Sequence, residues 1–219
     1  MSGDADPLAR ADFVRQWGPG ICYKRISHSC KNFPDHITSW TIHGLWPSED
    51  AFNWPSDCAA RCGLSRAALT DLLEELHRVW PTAFRGGDTK FWRHEFCKHG
   101  TCATDVYPDV HDYFAATLAF HRALSIDDAF AEAGIVPDIN STFTFEQLDE
   151  ALATSFGPGR AGYWCRWVKE GEQSRQLLWQ VSTCVDRQGT VIDCPAGKTR
   201  DCARGQPLYL LPWTVLDLK

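Results

Sequence analysis

Ten cysteines beside a single methionine restrict the fold of this 219-residue chain more than any other feature. They are Cys22, Cys30, Cys58, Cys62, Cys97, Cys102, Cys165, Cys184, Cys194 and Cys202. Zinc modules place cysteines as C-x-x-C pairs, and this chain has none; its local gaps of 8, 4, 5, 10 and 8 suit short disulfide loops. Five bridges and an oxidising compartment follow as the expectation. Asn140-Ser141-Thr142, an N-glycosylation sequon in a loop-like stretch after Pro137, points the same way. The Met1–Arg10 stretch is polar, short and without the apolar core of a signal peptide, so the numbering is expected to start at a processed or engineered end. No apolar run approaches the ~18–20 residues that cross a bilayer, and no membrane contact is expected.

With 44% apolar and 23% charged residues the chain has material for a proper core, which excludes disorder. Repeats, low-complexity tracts and linkers are missing, so residues 11–219 read as one domain behind a tail of residues 1–10. Asp12–Trp17 and Trp40–Trp46 look extended. A helix is predicted from Ser65 to Trp80, where Leu69, Leu72, Leu73, Leu76 and Val79 keep a helical period and Pro81 stops the run. A second begins at Asp88 or Thr89 and ends at Gly100. A third takes Pro108 as its first residue and reaches Leu124, and Ser125 with Asp128 marks a short fourth. Thr144 and Gln147 form a capping box for Phe145–Ser155. Strands follow at Tyr163–Val168, Gln176–Val185, Thr190–Cys194 and Leu208–Leu211. The fold class is α+β, a single domain with helices packed on a central, largely antiparallel β-sheet.

The densest cluster of reactive groups is the stretch Phe91-Trp92-Arg93-His94-Glu95-Phe96-Cys97-Lys98-His99-Gly100-Thr101-Cys102. At about 100° per residue from His94, Lys98 falls near 40°, Phe91 near 60°, Glu95 near 100° and His99 near 140°. Two imidazoles, a carboxylate, an ammonium and a ring therefore share one arc. Trp92 and Phe96 are four residues apart and suited to anchoring the helix on the core. A solvated helix face would also account for the charges. A zinc helix would not: it needs its second His four residues after the first, and that position holds Lys98, a cation, while His99 is one further on. No metal and no cofactor are expected.

The second segment is Trp40-Thr41-Ile42-His43-Gly44-Leu45-Trp46-Pro47, a strand-like run with a His before a glycine. A lone His there would be an ordinary core group. Paired with the first segment it completes a kit for metal-free phosphoryl transfer from a ribose hydroxyl, with one imidazole to take a proton and another to give one. Lys98 and a third His would offset charge on the phosphorus oxygens.

Both segments resemble the two active-site signatures of the ribonuclease T2 family. Gln16-Trp17 followed by Cys22, and the C-terminal cysteines, extend the similarity over most of the chain. The departures are Phe96, where a Trp is usual, and Cys97, where a polar residue is common; neither removes a catalytic group. The resemblance implies an acid-leaning, metal-independent endoribonuclease of low base specificity, secreted or lysosomal/vacuolar. His43 and His99 would be the acid/base pair, Glu95 and Lys98 would stabilise the phosphorane, and His94 would help hold the phosphate. Trp46 would stack on the base before the scissile phosphate, with Phe52 or Trp54 as partner, and Gln16 and Phe91 would contact the following base. The partner is single-stranded RNA, and the chain is expected to be a monomer. With 22 Lys plus Arg against 28 Asp plus Glu, a net −6, the grip on RNA must be local.

The resemblance also implies the bridges Cys22–Cys30, Cys58–Cys102, Cys165–Cys202 and Cys184–Cys194, which leaves Cys62 with Cys97. An antiparallel approach of Pro55–Gly63 to the end of the catalytic helix would nest the two bridges there. His28, His36, His77, His111 and His121 lack comparable neighbours and read as surface or structural. Trp164 and Trp167 read as core more than as a binding platform. The rival from another class is a secreted, glycosylated binding or signalling protein on the same fold, which the full set His43, Glu95, Lys98 and His99 disfavours.

Overall fold

A computed structural model describes residues 10–24, 30, 33–34, 37–48, 54–84, 86–195 and 199–216. Residues 1–9 and Phe52, His28 and His36 lie outside the described residues. The elements run β1 (Arg10–Gln16), α1 (Gly18–Cys22), β2 (Thr41–Ser48), α2 (Leu73–Val79), α3 (Asp88–Lys98), α4 (Val110–Ala123), α5 (Ile126–Glu132), α6 (Phe145–Phe156), β3 (Gly162–Glu170), β4 (Gln173–Asp186), β5 (Val191–Ile192), β6 (Thr199–Arg200) and β7 (Leu208–Tyr209). The sheet has the order β2-β1-β4-β3-β6, with β5 and β7 also paired to β4. It is antiparallel except where β6 joins β3 and β7 joins β4. This is the expected α+β domain, built around the long buried strand β4.

Two apolar clusters cover the sheet. Phe130 of α5 and Phe145, Leu148 and Leu152 of α6 pack with Tyr163, Leu178 and Val181. Leu76 of α2, Trp92 of α3 and Tyr113, Phe114 and Leu118 of α4 pack with Phe13, Ile42, Leu45 and Val185. The second cluster is the floor on which α3 rests.

The bridges of the structure join Cys22 to Cys30, Cys58 to Cys102, Cys62 to Cys97, Cys165 to Cys202 and Cys184 to Cys194. The segment around Cys58 is held to the end of α3 a third time, through the Asp57 N–H on the Lys98 carbonyl at 2.8 Å.

Several boundaries differ from the sequence reading. The helix expected over Ser65–Trp80 is two pieces, a 3₁₀ turn at Arg66–Leu69 and α2. Between them the Thr70 hydroxyl donates back to the Ala67 carbonyl at 3.0 Å, a side-chain competitor for the backbone bond that would continue the helix. Pro108 is not the first residue of α4, because Asp109 caps that helix by accepting from the Asp112 N–H at 3.0 Å. The strand β1 takes in Arg10, which the reading left in the tail. The expected strands Thr190–Cys194 and Leu208–Leu211 shrink to the two residues each of β5 and β7. Among the described residues four elements were not foreseen: α1, the strand β6 and 3₁₀ turns at Gly100–Cys102 and Trp213–Leu216. The five residues of α1 include two glycines and a proline, a composition with no helical signal, and packing and the Cys22 bridge hold it.

Candidate active site

The candidate arc is assembled from β2 and α3, and a defect in the sheet aims one of its members. Ile42 pairs with Arg15 and Gly44 with Val14, so His43 is the extra residue of a β-bulge. Bulges re-aim side chains, and here the imidazole leaves the ladder toward α3. Its carbonyl is held by the Trp80 indole N–H at 2.9 Å. Gly44 has a steric reason: a Cβ there would overlap Glu95 Oε2 and the Trp46 indole nitrogen.

Glu95 is the hub. It is 1% exposed, accepts from Trp46 Nε1 at 2.8 Å and puts Oε1 3.7 Å from His43 Nε2 and 4.0 Å from His94 Nε2. His99, just past the last residue of α3, keeps its backbone N–H on the Glu95 carbonyl and is itself buried. Its ring stacks on Trp46, with centroids 5.1 Å apart and 28° between planes. His43 meets Trp46 edge-on at 5.0 Å and Phe91 at 5.7 Å. Exposure rises outward, from 2% for the Glu95 side chain through 24% for His43 to 62% for His94.

The electrostatics follow from that gradient. Burial pushes Glu95 up to about 8, against the pull of the Trp46 N–H and the Lys98 charge. Burial likewise lowers His43 and His99 to about 3, and the positive charge that neighbouring groups would carry opposes their protonation further: His94 and Lys98 for His43, Lys98 first and then the other two imidazoles for His99. The resting cluster is thus held near neutrality while the half-buried Lys98 offers a cation at its rim.

The expected base-contacting residues are placed less uniformly. Trp46 is a working part of the cluster and not a detached plate. Trp54 lies 6.3 Å from it, nearly perpendicular, with its indole N–H on Asp12 at 2.6 Å. Gln16 is 2% exposed and turns its amide toward the Ile42 carbonyl at 3.4 Å, off the open surface of the site. Asn140 is exposed, in a turn closed by Asp138.

Three neighbours escaped the sequence reading as parts of the site. Trp80 supports the bulge, Trp164 meets Trp46 edge-on at 6.4 Å, and Gln180 lays its amide nitrogen against His43 Nδ1. The one signal available was Gln180 itself, a polar residue inside the apolar run Leu177-Leu178-Trp179-Gln180-Val181. Among the described residues, Asp12, Cys184 and Cys194 have metal-ligand spacing, but their two sulfurs are joined in one disulfide and supply no thiolate.

Known proteins are similar to this chain in sequence and in fold. The chain is 33% identical to Ribonuclease 1 of Arabidopsis thaliana over 84% of its own length and 78% of the relative's. It is 30% identical to Ribonuclease Oy of Magallana gigas, covering 91% of this chain and 94% of that one. In three dimensions it matches RNase NT in complex with 5′-AMP with a TM-score of 0.77 at 28% identity, over 93% of this chain and 98% of the other. The model of the Ribonuclease T2 family matches residues 10–194, a span that includes His43 and the whole of α3, and the chain belongs to the ribonuclease T2 family.

Proposed function

We propose that this ribonuclease cleaves single-stranded RNA by transphosphorylation, using no metal and with low base specificity. The substrate's 2′-oxygen bonds to phosphorus as the bond from phosphorus to the 5′-oxygen breaks. His99 takes the 2′-OH proton and His43 gives one to the leaving oxygen, which yields a 2′,3′-cyclic phosphate that water then opens with the roles reversed. Glu95 and Lys98 stabilise the phosphorane, and His94, the exposed member, helps hold the incoming phosphate.

The observation that carries this reading is the cluster built around Glu95: the partly buried His43 and the exposed His94 lie at its carboxylate, Lys98 bears on it, and the buried His99 stacks on the Trp46 ring that donates to it. Burial keeps His99 unprotonated well below neutral pH, as a base needs. Trp46 and Trp54 bound the base before the scissile bond. A base sandwiched between parallel rings needs about 7 Å between them, so the present 6.3 Å pair must turn and open slightly to admit it. Stacking tolerates every base, being worth ~1–3 kcal/mol whichever is bound. Phe91 is the contact for the following base, whereas the buried Gln16 does not reach it. Residues 11–219 act as one catalytic domain, as a monomer, in a secreted or lysosomal/vacuolar setting that the five bridges suit, with Asn140 as a glycan acceptor.

The test is substrate choice in excess EDTA. RNA should be cut, while DNA and 2′-O-methyl RNA of the same sequence should resist because the nucleophile is the substrate's own 2′-OH. Loss of cleavage on chelation, or equal cutting of DNA, refutes the mechanism.

A further inference from the structure

Gln180 is 1% exposed, and a buried amide must be partnered or its burial is costly. Its partner is His43, although β1 lies between their strands in the sheet. Two bulges favour that meeting. In β2 the extra residue is His43 itself; in β4 it is Trp179, since Trp164 pairs with Gln180 and Cys165 with Leu178. Gln180 Nε2 lies against His43 Nδ1. An amide nitrogen can only donate, so Nδ1 must accept, and the ring's single proton resides on Nε2, facing Glu95.

We propose that Gln180 is a positioning residue that decides which proton transfer His43 performs. The inference rests on the acid/base reading above. With Nδ1 occupied by a donor and Nε2 carrying the proton, neutral His43 has no free lone pair and is barred from being the base of the first step. That role falls to His99. For His43 to act as acid, Nδ1 must gain a proton, and the Gln180 amide must turn to present its oxygen. The imidazolium is then held by Nδ1–H donating to the Gln180 carbonyl, with Nε2–H free to protonate the leaving oxygen. After transfer the ring is neutral with its proton on Nδ1 and an open Nε2, which is what the hydrolysis step requires of a base. An amide serves all these states; a carboxylate can only accept from Nδ1, and an alkyl chain does neither. The groups bearing on the titration are Glu95, His94 and Lys98 from α3, His99 after it, Trp46 and Phe91 at the ring faces and Gln180 from β4.

Three variants of one experiment test it. In the unmodified protein, long-range proton–nitrogen NMR at neutral pH should find His43 protonated at Nε2; a resting Nδ1–H tautomer overturns the proposal whether or not RNA is cleaved. In Q180E the carboxylate should hold the proton on Nδ1, so the alkaline limb of the kcat profile moves up by about one pH unit or more. In Q180L, kcat should fall about tenfold or more with KM for a dinucleotide nearly unchanged. Unmoved limbs in Q180E, or Q180L with normal kcat, mark Gln180 as packing alone and overturn the proposal. Should Q180L fail to fold, the tautomer of the unmodified protein still decides. A protein with the Nε2–H tautomer that leaves RNA intact would instead refute the functional reading.

Discussion

The two faces of α3 are one sequence and two kinds of chemistry. On the back, Trp92 is fully buried with its indole N–H on the Trp80 carbonyl at 2.8 Å, and Phe96 packs on Tyr113 and Phe114. Two disulfides and the Asp57 N–H clamp the same helix end. Every polar group named there has a partner, and burial is favourable. On the front, Glu95 and His99 are buried against their own preference, and proton affinities shift in opposite directions as a result. The back must therefore stabilise what the front strains. Rigidity is the return: catalytic groups held within ~0.5 Å of a productive geometry need such support.

If that division holds, damage to the front should separate from damage to the back. The largest effect is expected at the front: His43→Ala or His99→Ala should lower kcat/KM by about 10²–10⁴-fold. Thermal melts of the His99→Ala protein at pH 7 should not fall with it, since its buried, neutral imidazole has an unpartnered Nδ1 and adds little to the fold. Steady-state kinetics and melting curves on the same preparations read both. A cooperative loss of stability that accompanies the loss of rate would break the comparison.

The back should answer in the other currency. Trp92→Ala should cost about 3–5 kcal/mol in denaturant unfolding, with the activity of the remaining folded molecules falling far less than in the histidine variants. The paired change Cys62→Ser with Cys97→Ser releases a crosslink spanning 35 residues and should cost about 2–4 kcal/mol. It should lower the melting temperature while KM of the folded molecules changes less than about twofold.

What the sequence made legible divides along the same line. The back and the arc of α3 follow from local spacing, as does the capping box, where the Thr144 side chain accepts from the Gln147 N–H and Gln147 reaches back. The break at Thr70 is local too, yet it depends on a hydroxyl choosing a backbone partner over solvent, which periodicity does not register. The supports of the front are a different matter. Trp164 and Gln180 are brought to Trp46 and His43 by two bulges and the order of the sheet, Trp80 reaches the His43 carbonyl from the end of α2, and strand register across a hundred residues leaves no periodic trace. Gln16 shows the limit of carrying a role from a motif alone, because its burial is set by the neighbouring strand and not by its own segment.

The pH dependence of stability sharpens the comparison by its sign. His43 and His99 bind protons less readily folded than unfolded, so their contribution is present above pH ~6.5 and is lost as pH falls toward 3. Glu95 binds its proton more readily folded, so its contribution is present below pH ~4.5 and is lost as pH rises through 8. Glu95→Gln keeps the neutral shape and removes the second loss. Relative to the unmodified protein it should gain stability steadily from pH 4.5 to 8, as read by denaturant midpoints. A gap that does not change with pH would mean that the burial of Glu95 is not the source of its shift.

The central claim is that a metal-free histidine pair makes the substrate attack itself. Mass spectrometry of the 3′ ends released from single-stranded RNA, early in the reaction at mildly acidic pH with excess EDTA, tests it most directly. The account predicts 2′,3′-cyclic phosphate ends first, with 3′-phosphates appearing later at their expense and 5′-hydroxyls on the other fragments. Fragments ending in 3′-hydroxyl and 5′-phosphate would contradict it, as would cutting that requires a divalent metal.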